Sequence, residues 1–213
     1  MLLRQRQLVV LARWPAPGRC KRRLASGCGT LAAAGMQAAL NRHTLAAARR
    51  GAQRAGAELW LAADGLGPRA LRRWAAAQGL AHFRGQGGGG LGCRLQRQLR
   101  CAFARGAQQV VLIGSDLPQL EPQDLERAFA ALEQRGLVLG PAADGGYWLI
   151  GLNRTGFQRA GARLTAGVPW GSAAVLAHTL QQATALGLEP LLLRRQGDLD
   201  HRADLAPWRG RRR

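Results

Sequence analysis

QVVLIGSDLPQLEPQDLERAFAAL, residues 109–132, is the stretch from which the architecture is read. Val110 to Ile113 form a continuous apolar run, as expected of a strand covered by helices on both faces. Gly114, Ser115 and Asp116 close the run before Pro118 breaks it, and a helix starts near Pro122. Open α/β sheets bind ligands in the crevice at the carboxyl ends of their strands. Asp116 is therefore placed to hold a metal ion or a ribose hydroxyl; the competing reading is a plain turn or helix cap. Glu121, Asp124, Glu126 and Glu133 read as first-turn and surface acids of the helix that follows.

Upstream, Gln7 to Ala12 (QLVVLA) form a similar apolar strand. The segment RWPAPGRCKRRL follows, where Pro15, Pro17 and Gly18 forbid helix and a basic cluster, Arg19, Lys21, Arg22 and Arg23, comes immediately after. A loop leaving a buried strand thus carries concentrated positive charge. An alanine-rich helix over about Leu31–Arg50, a strand over Glu58–Ala63, a helix over Pro68–Gln78 and a short strand over Leu80–Phe83 continue the β-α-β rhythm of a layered sheet. GQGGGG then leads into a helix beginning close to Leu91, with Leu91, Leu95, Leu99, Ala102 and Phe103 on one face. Glycines ahead of a helix bearing Arg94 form either an anion-binding loop or a flexible connection.

Downstream, the strand Leu137–Leu139 meets Gly140, Pro141, Asp144, Gly145 and Gly146 before the strand Tyr147–Leu152. Asp-Gly-Gly is either a hairpin turn or a second functional acid. Past a strand over Pro190–Arg194, Asp198 and Asp200 alternate, so in an extended chain both carboxylates point the same way, ready for one cation. Asp204 reads as a helix N-terminal acid. The expected fold is thus α/β, one Rossmann-like mixed sheet with helices on both faces, spanning residues 1–208 as a single domain with a basic tail at 209–213.

The 31 basic residues against 12 acidic give a formal net charge of +19. Such a charge attracts polyanions. The arginines are scattered rather than striped and no nucleic-acid motif with interleaved aromatics is present, so a general preference for arginine spread over exposed faces is favoured over nucleic-acid binding, and a small polyanion such as a nucleotide would serve equally well. Lys21 is the single lysine of the chain; a compact ammonium suits a phosphate in a tight loop. Cys20, Cys28, Cys93 and Cys101 have neither zinc nor redox spacing and read as reduced thiols. No apolar run is long enough for a membrane span, and the N-terminus lacks a signal-peptide cleavage site, so a cytoplasmic location is expected.

Six blocks in order carry a family resemblance: PAPGRCKRRL, GGLGCRL, VVLIGSDLPQL, GPAADGGYWLIGL, VPWGSAAVLAHTL and DLDHRADL. With these the chain resembles the bacterial GT-A-fold, glycosyltransferase-like proteins of the radical-SAM-associated or arsenosugar-biosynthesis type. That group is in turn similar to molybdopterin-cofactor nucleotidyltransferases and phospholactate guanylyltransferases. The resemblance implies nucleotide binding by Pro17, Gly18, Lys21, Arg23, Arg94 and Ser115, and a Mg²⁺ or Mn²⁺ site of Asp116 with Asp200 or Asp198. It implies catalytic parts for Lys21, Asp116 and Asp144, and an acceptor side of Gly145, Gly146, Trp170 and Gly171. His82 and His178 stay core or surface histidines. Departures from the family pattern stand at Arg22, Cys93, Ala143 and His201-Arg202, and bear on fine geometry and substrate choice.

The activity this implies is metal-assisted transfer from a nucleotide donor to a small-molecule acceptor. With a nucleotide sugar, a glycosyl group moves; the alternative is nucleotidyl transfer from a nucleoside triphosphate with release of pyrophosphate. A third reading, suggested by the charge and the departures, is a polyanion binder without catalysis.

Overall fold

The computed structural model describes residues 6–197, so Asp198, Asp200 and Asp204 lie outside the described residues. Strands are β1 Arg6–Arg13, β2 Glu58–Asp64, β3 His82–Gly85, β4 Gln109–Ile113, β5 Leu137–Pro141, β6 Tyr147–Asn153 and β7 Leu191–Leu192. Helices are α1 Arg22–Cys28, α2 Thr30–Arg54, α3 Pro68–Ala77, α4 Leu91–Ala104, α5 Pro122–Ala131, α6 Arg154–Ala160 and α7 Val175–Ala185. Among the described residues these strands form one sheet in the order β3-β2-β1-β4-β6-β5-β7. β1 pairs parallel with β2 and β4, and β2 with β3, whereas β6 runs antiparallel to both β4 and β5. The mixed α/β sheet expected from the sequence is the one observed.

Alternation along β1 builds two cores. Leu8, Val10 and Ala12 face α2, α3 and α5 through Leu45, Leu71, Trp74 and Phe129. Val9 faces the other side, where Leu95, Leu99 and Phe103 of α4 pack with Leu164 and Leu188. Each fully buried leucine or valine contributes about 1.5–3 kcal/mol, and β1 is buried from Gln7 to Val10 because both faces are covered there. α2 and α5 approach closely at Gly51, where a Cβ would lie 2.7 Å from Leu125 Cδ1.

Five readings of the sequence are corrected. The basic loop does not persist through Leu24: α1 starts at Arg22, and its buried Leu24 packs on Ala33 and Leu40 of α2. The strand expected over Pro190–Arg194 shortens to Leu191–Leu192, because Arg194 leaves the ladder to bind Asp124. Leu91 is off the buried face of α4, 46% exposed at its first position, while Leu95, Leu99, Ala102 and Phe103 are buried. Asp124 is no surface acid. It caps α5 by accepting from the Glu121 amide at 3.0 Å and is buried in a bidentate pair with Arg194 at 2.6 and 2.7 Å. The strand read at Leu80–Phe83 is displaced to His82–Gly85, where Gly85 pairs with Ala63.

Candidate active site

The carboxyl ends of β4, β1, β2 and β3 open side by side onto a cleft of about 650 Å³. Among the described residues its walls carry Arg13, Lys21, Arg22, Arg23 and Arg94 against Asp64 and Asp116, a cationic surround suited to phosphate.

At the β4 end, Lys21 Nζ lies 2.8 Å from Asp116 Oδ2; the lysine side chain is 2% exposed and the aspartate 39%. Lys21 has φ 46° and ψ 48°, left-handed backbone that no other non-glycine residue adopts among the described residues. That conformation costs an L-residue about 1–2 kcal/mol, and such strain concentrates at functional positions. Asp116 Oδ1 accepts from Gln37 Nε2 at 2.8 Å. Gln37 belongs to a buried polar seam of α2: Asn41 donates to the Arg13 carbonyl at 3.0 Å and Thr44 to the Ser115 carbonyl at 3.0 Å. Their spacing of four and three residues puts all three on one helical face, so α2 fixes the Ser115–Asp116 turn directly.

At the β2 end, Asp64 Oδ2 accepts from Arg13 Nε at 3.2 Å and pairs with Arg94 Nη1 at 2.8 Å. Desolvation pushes this carboxyl up, but the hydrogen bond and charge of Arg94, with those of Arg13, outweigh it and hold the group below the usual carboxylate range. Gln86, buried just past β3, donates to the carbonyls of Ala12 and Ala62 at 3.2 and 3.0 Å, and its Oε1 accepts from Arg94 at 3.2 Å. The glycine run ahead of α4 turns its carbonyls toward arginine: Arg94 Nε donates to Gly89 and Arg97 to Gly88.

A small apolar annex of about 110 Å³ shares Leu11, Leu91, Gly114, Tyr147 and Trp148 with the cleft and adds Trp170, which meets Tyr147 edge-on at 5.9 Å between centroids. Trp170 is held against α4 at Gly92, where a Cβ would lie 2.7 Å from its Nε1.

Of the residues singled out in the sequence, Lys21, Arg23, Arg94, Ser115 and Asp116 come together in the cleft and Trp170 lines the annex. Pro17 and Gly18 are exposed and do not wall the cleft, and Gly171 is exposed at φ +87°. Asp144 is exposed and accepts from the Gly146 amide at 2.9 Å, as the β5–β6 hairpin turn requires. Gly145, at φ +89°, lets this turn press on the Ala173 backbone, and its carbonyl accepts from the Leu176 amide at 2.9 Å. The sequence reading missed Arg13, Gln37, Asp64 and Gln86. Asp64 carries the same signal as Asp116, an acid ending an apolar strand; the 37–41–44 repeat was visible as polar residues at helical spacing inside an alanine-rich helix.

Fold and cleft together define the nucleotide-diphospho-sugar transferase-like α/β class. Within that class, the chain belongs to the family described as "Uncharacterized protein conserved in bacteria (DUF2064)", whose profile matches residues 44–172. Among solved structures, a protein from Desulfovibrio desulfuricans G20 provisionally named a nucleotide-diphospho-sugar transferase is similar, with 31% identity and a TM-score of 0.83, covering 94% of this chain and 84% of that one. CMP:2-keto-3-deoxy-manno-octonic acid synthetase complexed with CTP shares the fold at 13% identity and a TM-score of 0.59, covering 97% of both chains. Rv0371c from Mycobacterium tuberculosis H37Rv, complexed with manganese, shares it at 23% identity and a TM-score of 0.52, covering 96% of this chain and 97% of that one. No protein of curated function matches the chain. Among the described residues no helix is long and apolar enough to cross a membrane.

Proposed function

We propose that the protein transfers a glycosyl group from a nucleotide sugar to a small-molecule acceptor, binding the donor diphosphate at the Lys21–Asp116 corner of the cleft. The observation that carries this reading is the deeply buried Lys21 ammonium on the Asp116 carboxylate, at the strand end facing Arg22 and Arg23. An ammonium brought to a cation-rich cleft at strand ends serves a diphosphate better than it serves stability.

Asp116 fits one place in a divalent-metal site, since its carboxylate is accessible and already holds a cation, the ammonium. The other ligands of the proposal, Asp198 and Asp200, lie outside the described residues, and the described residues contain no cluster of three or more metal-ligating side chains. A bound Mg²⁺ or Mn²⁺ would supply neutralisation of diphosphate charge. Lys21, Arg22 and Arg23 bind the phosphate oxygens and stabilise the charge left on the departing nucleoside diphosphate when the anomeric carbon–oxygen bond breaks and the acceptor oxygen bonds to that carbon. Gln37 and the α2 seam orient Asp116. Trp170, with Gly145, Gly146 and Gly171 around the hairpin contact, forms the acceptor side, and Asp144 stands at its rim.

Nucleotidyl transfer from a triphosphate is the second reading, favoured by the cationic load beside Lys21, since pyrophosphate departs with more charge. Thermal-shift titration against nucleotide sugars and nucleoside triphosphates, with Mg²⁺, Mn²⁺ or EDTA, separates them. A metal-dependent shift with one nucleotide sugar that Asp116→Asn abolishes supports glycosyl transfer. A shift with a triphosphate alone moves the assignment to nucleotidyl transfer, and no metal-dependent shift with any nucleotide refutes both.

A further inference from the structure

We propose that the apolar annex beside the cleft is a specificity pocket for the acceptor, selecting a molecule that carries a compact apolar group of about four carbons. The inference rests on the proposed transfer and names the chemistry of the molecule that receives the group.

Cleft and annex share Leu11, Leu91, Gly114, Tyr147 and Trp148. Gly114 stands two residues ahead of Asp116, and a Cβ built on it would meet no atom within 4 Å. The glycine therefore keeps space open where the two cavities meet. Leu91, one of the few exposed large apolar side chains among the described residues, borders both cavities. A group seated in the annex leaves the rest of its molecule at the Asp116 end of the cleft, where the donor diphosphate is proposed to bind.

The lining of the annex is carbon. Leu11 of β1, Leu112 of β4, Ile150 of β6 and Leu95 of α4 supply it, and among the described residues no charged side chain joins them. Three aromatic rings bring polar atoms but direct them elsewhere. Trp148 Nε1 donates to the Arg194 carbonyl at 3.2 Å, the Tyr147 hydroxyl lies buried beside Thr179, and the Nε1 edge of Trp170 is turned to Gly92. A hydroxyl or amino group seated here would lose water and gain no partner. This argues against the donor as occupant: its phosphates belong with the cations, its sugar carries hydroxyls, and its base is larger than benzene and polar at its edges.

Size sets the group. A cavity of ~150 Å³ lined by leucine, isoleucine and phenylalanine stays dry and takes benzene. At about 110 Å³, the annex takes about four carbons in the same proportion. Leu112, Ile150 and Leu95 belong to the packed core, so the pocket is formed before any ligand arrives, which limits the ordering cost of binding.

The test titrates ethanol, 1-propanol, 1-butanol, 1-pentanol and 1-hexanol onto the free protein, with ethylene glycol and glycerol as polar controls, and reads binding by saturation-transfer NMR. Each added methylene should tighten binding about fourfold up to butanol, where the gain should stop; the polar controls should not bind. Gly114→Val, which fills open space, should shorten the best chain, and Trp170→Ala should lengthen it. A general loss of stability would not move the optimum in opposite directions. Butanol is then titrated again with UDP-, dTDP-, CDP-, GDP- and ADP-glucose, and with UTP, CTP, GTP and ATP, each saturating in the presence of Mn²⁺. Butanol binding retained beside a bound nucleotide is the expected result. Displacement of butanol by a nucleotide would give the annex to the donor and overturn the acceptor assignment. Affinity independent of chain length, or glycerol binding as well as butanol, would overturn the apolar pocket while leaving the transfer reading standing. If butanol binds and no nucleotide does, the transfer reading fails and takes the acceptor assignment with it. The alkanol series on the native chain keeps the test decisive even if a variant folds poorly.

Discussion

Replacing Lys21 by glycine and, separately, by alanine splits the backbone from the side chain at the most strained position of the cleft. Both variants lose the ammonium that faces Asp116 at 2.8 Å. Only alanine keeps the burden of φ 46°. Left-handed backbone costs a residue with a Cβ about 1–2 kcal/mol; glycine avoids this but gives back about 0.4–1 kcal/mol through the freedom it adds to the unfolded chain. The glycine variant should therefore be the more stable of the two by about 0.5–1 kcal/mol. With a urea slope of about 2–3 kcal/mol/M for a chain of this size, its unfolding midpoint should lie about 0.3 M higher. Nucleotide affinity, read by calorimetry on the same preparations, should fall equally in both, because in the proposed function it is the ammonium and not the backbone that meets phosphate. An alanine variant as stable as glycine would refute the strain argument. Unequal affinities would refute the assignment of the effect to charge alone.

Asp124→Ala removes both the α5 cap and the partner of Arg194. Loss of one member of a buried pair costs roughly 3–5 kcal/mol, but Arg194 is exposed enough to rehydrate, so a loss of about 2–3 kcal/mol in urea unfolding is expected. Gly140→Ala drives a Cβ into the Trp148 ring, 2.7 Å from Nε1, and should cost about 1–3 kcal/mol with a changed near-ultraviolet tryptophan signal; an unchanged signal would contradict that contact. Asp64 has a depressed carboxyl in the folded state, so its contribution to stability is present above about pH 4 and is lost as pH falls through the lower folded value. Urea midpoints of Asp64→Asn should accordingly vary less with acid pH than those of the native chain, and parallel curves would refute the linkage.

The parallel half of the sheet was legible because apolar runs such as Val110–Ile113 and Gln7–Ala12 allow no other reading once turn residues bound them. Asp116 was legible for the same reason, an acid where the pattern allows none. What was not legible depended on partners distant in sequence. Asp124 looks like any first-turn acid until Arg194, seventy residues on, folds back to it. Arg22–Cys28 carries a glycine and no apolar stripe, and becomes helical because Leu24 finds α2. Asp144 shows the limit of a local motif, since Asp-Gly-Gly fits a hairpin turn, and the reason for its glycine lies in Ala173, on a different segment.

The reversed strand β6 divides the protein along a seam. Its ladder with β4 joins Gln109–Ile113 to Leu149–Asn153 through five residue pairs, and because it runs backwards its first residues, Tyr147 and Trp148, arrive at the same rim as Asp116. The wall holding Tyr147, Trp148 and Trp170 is thus a late block of the chain, while Arg13, Lys21, Asp64, Arg94 and Asp116 are an early one. Crossovers between relatives in the connection ahead of β5 would exchange the late wall whole, at the cost of matching the contacts that cross the join: that ladder, the Asp124–Arg194 pair and the seat of Trp170 on Gly92. A lineage could exchange its late, aromatic wall by recombination there and inherit its early, charged wall unaltered.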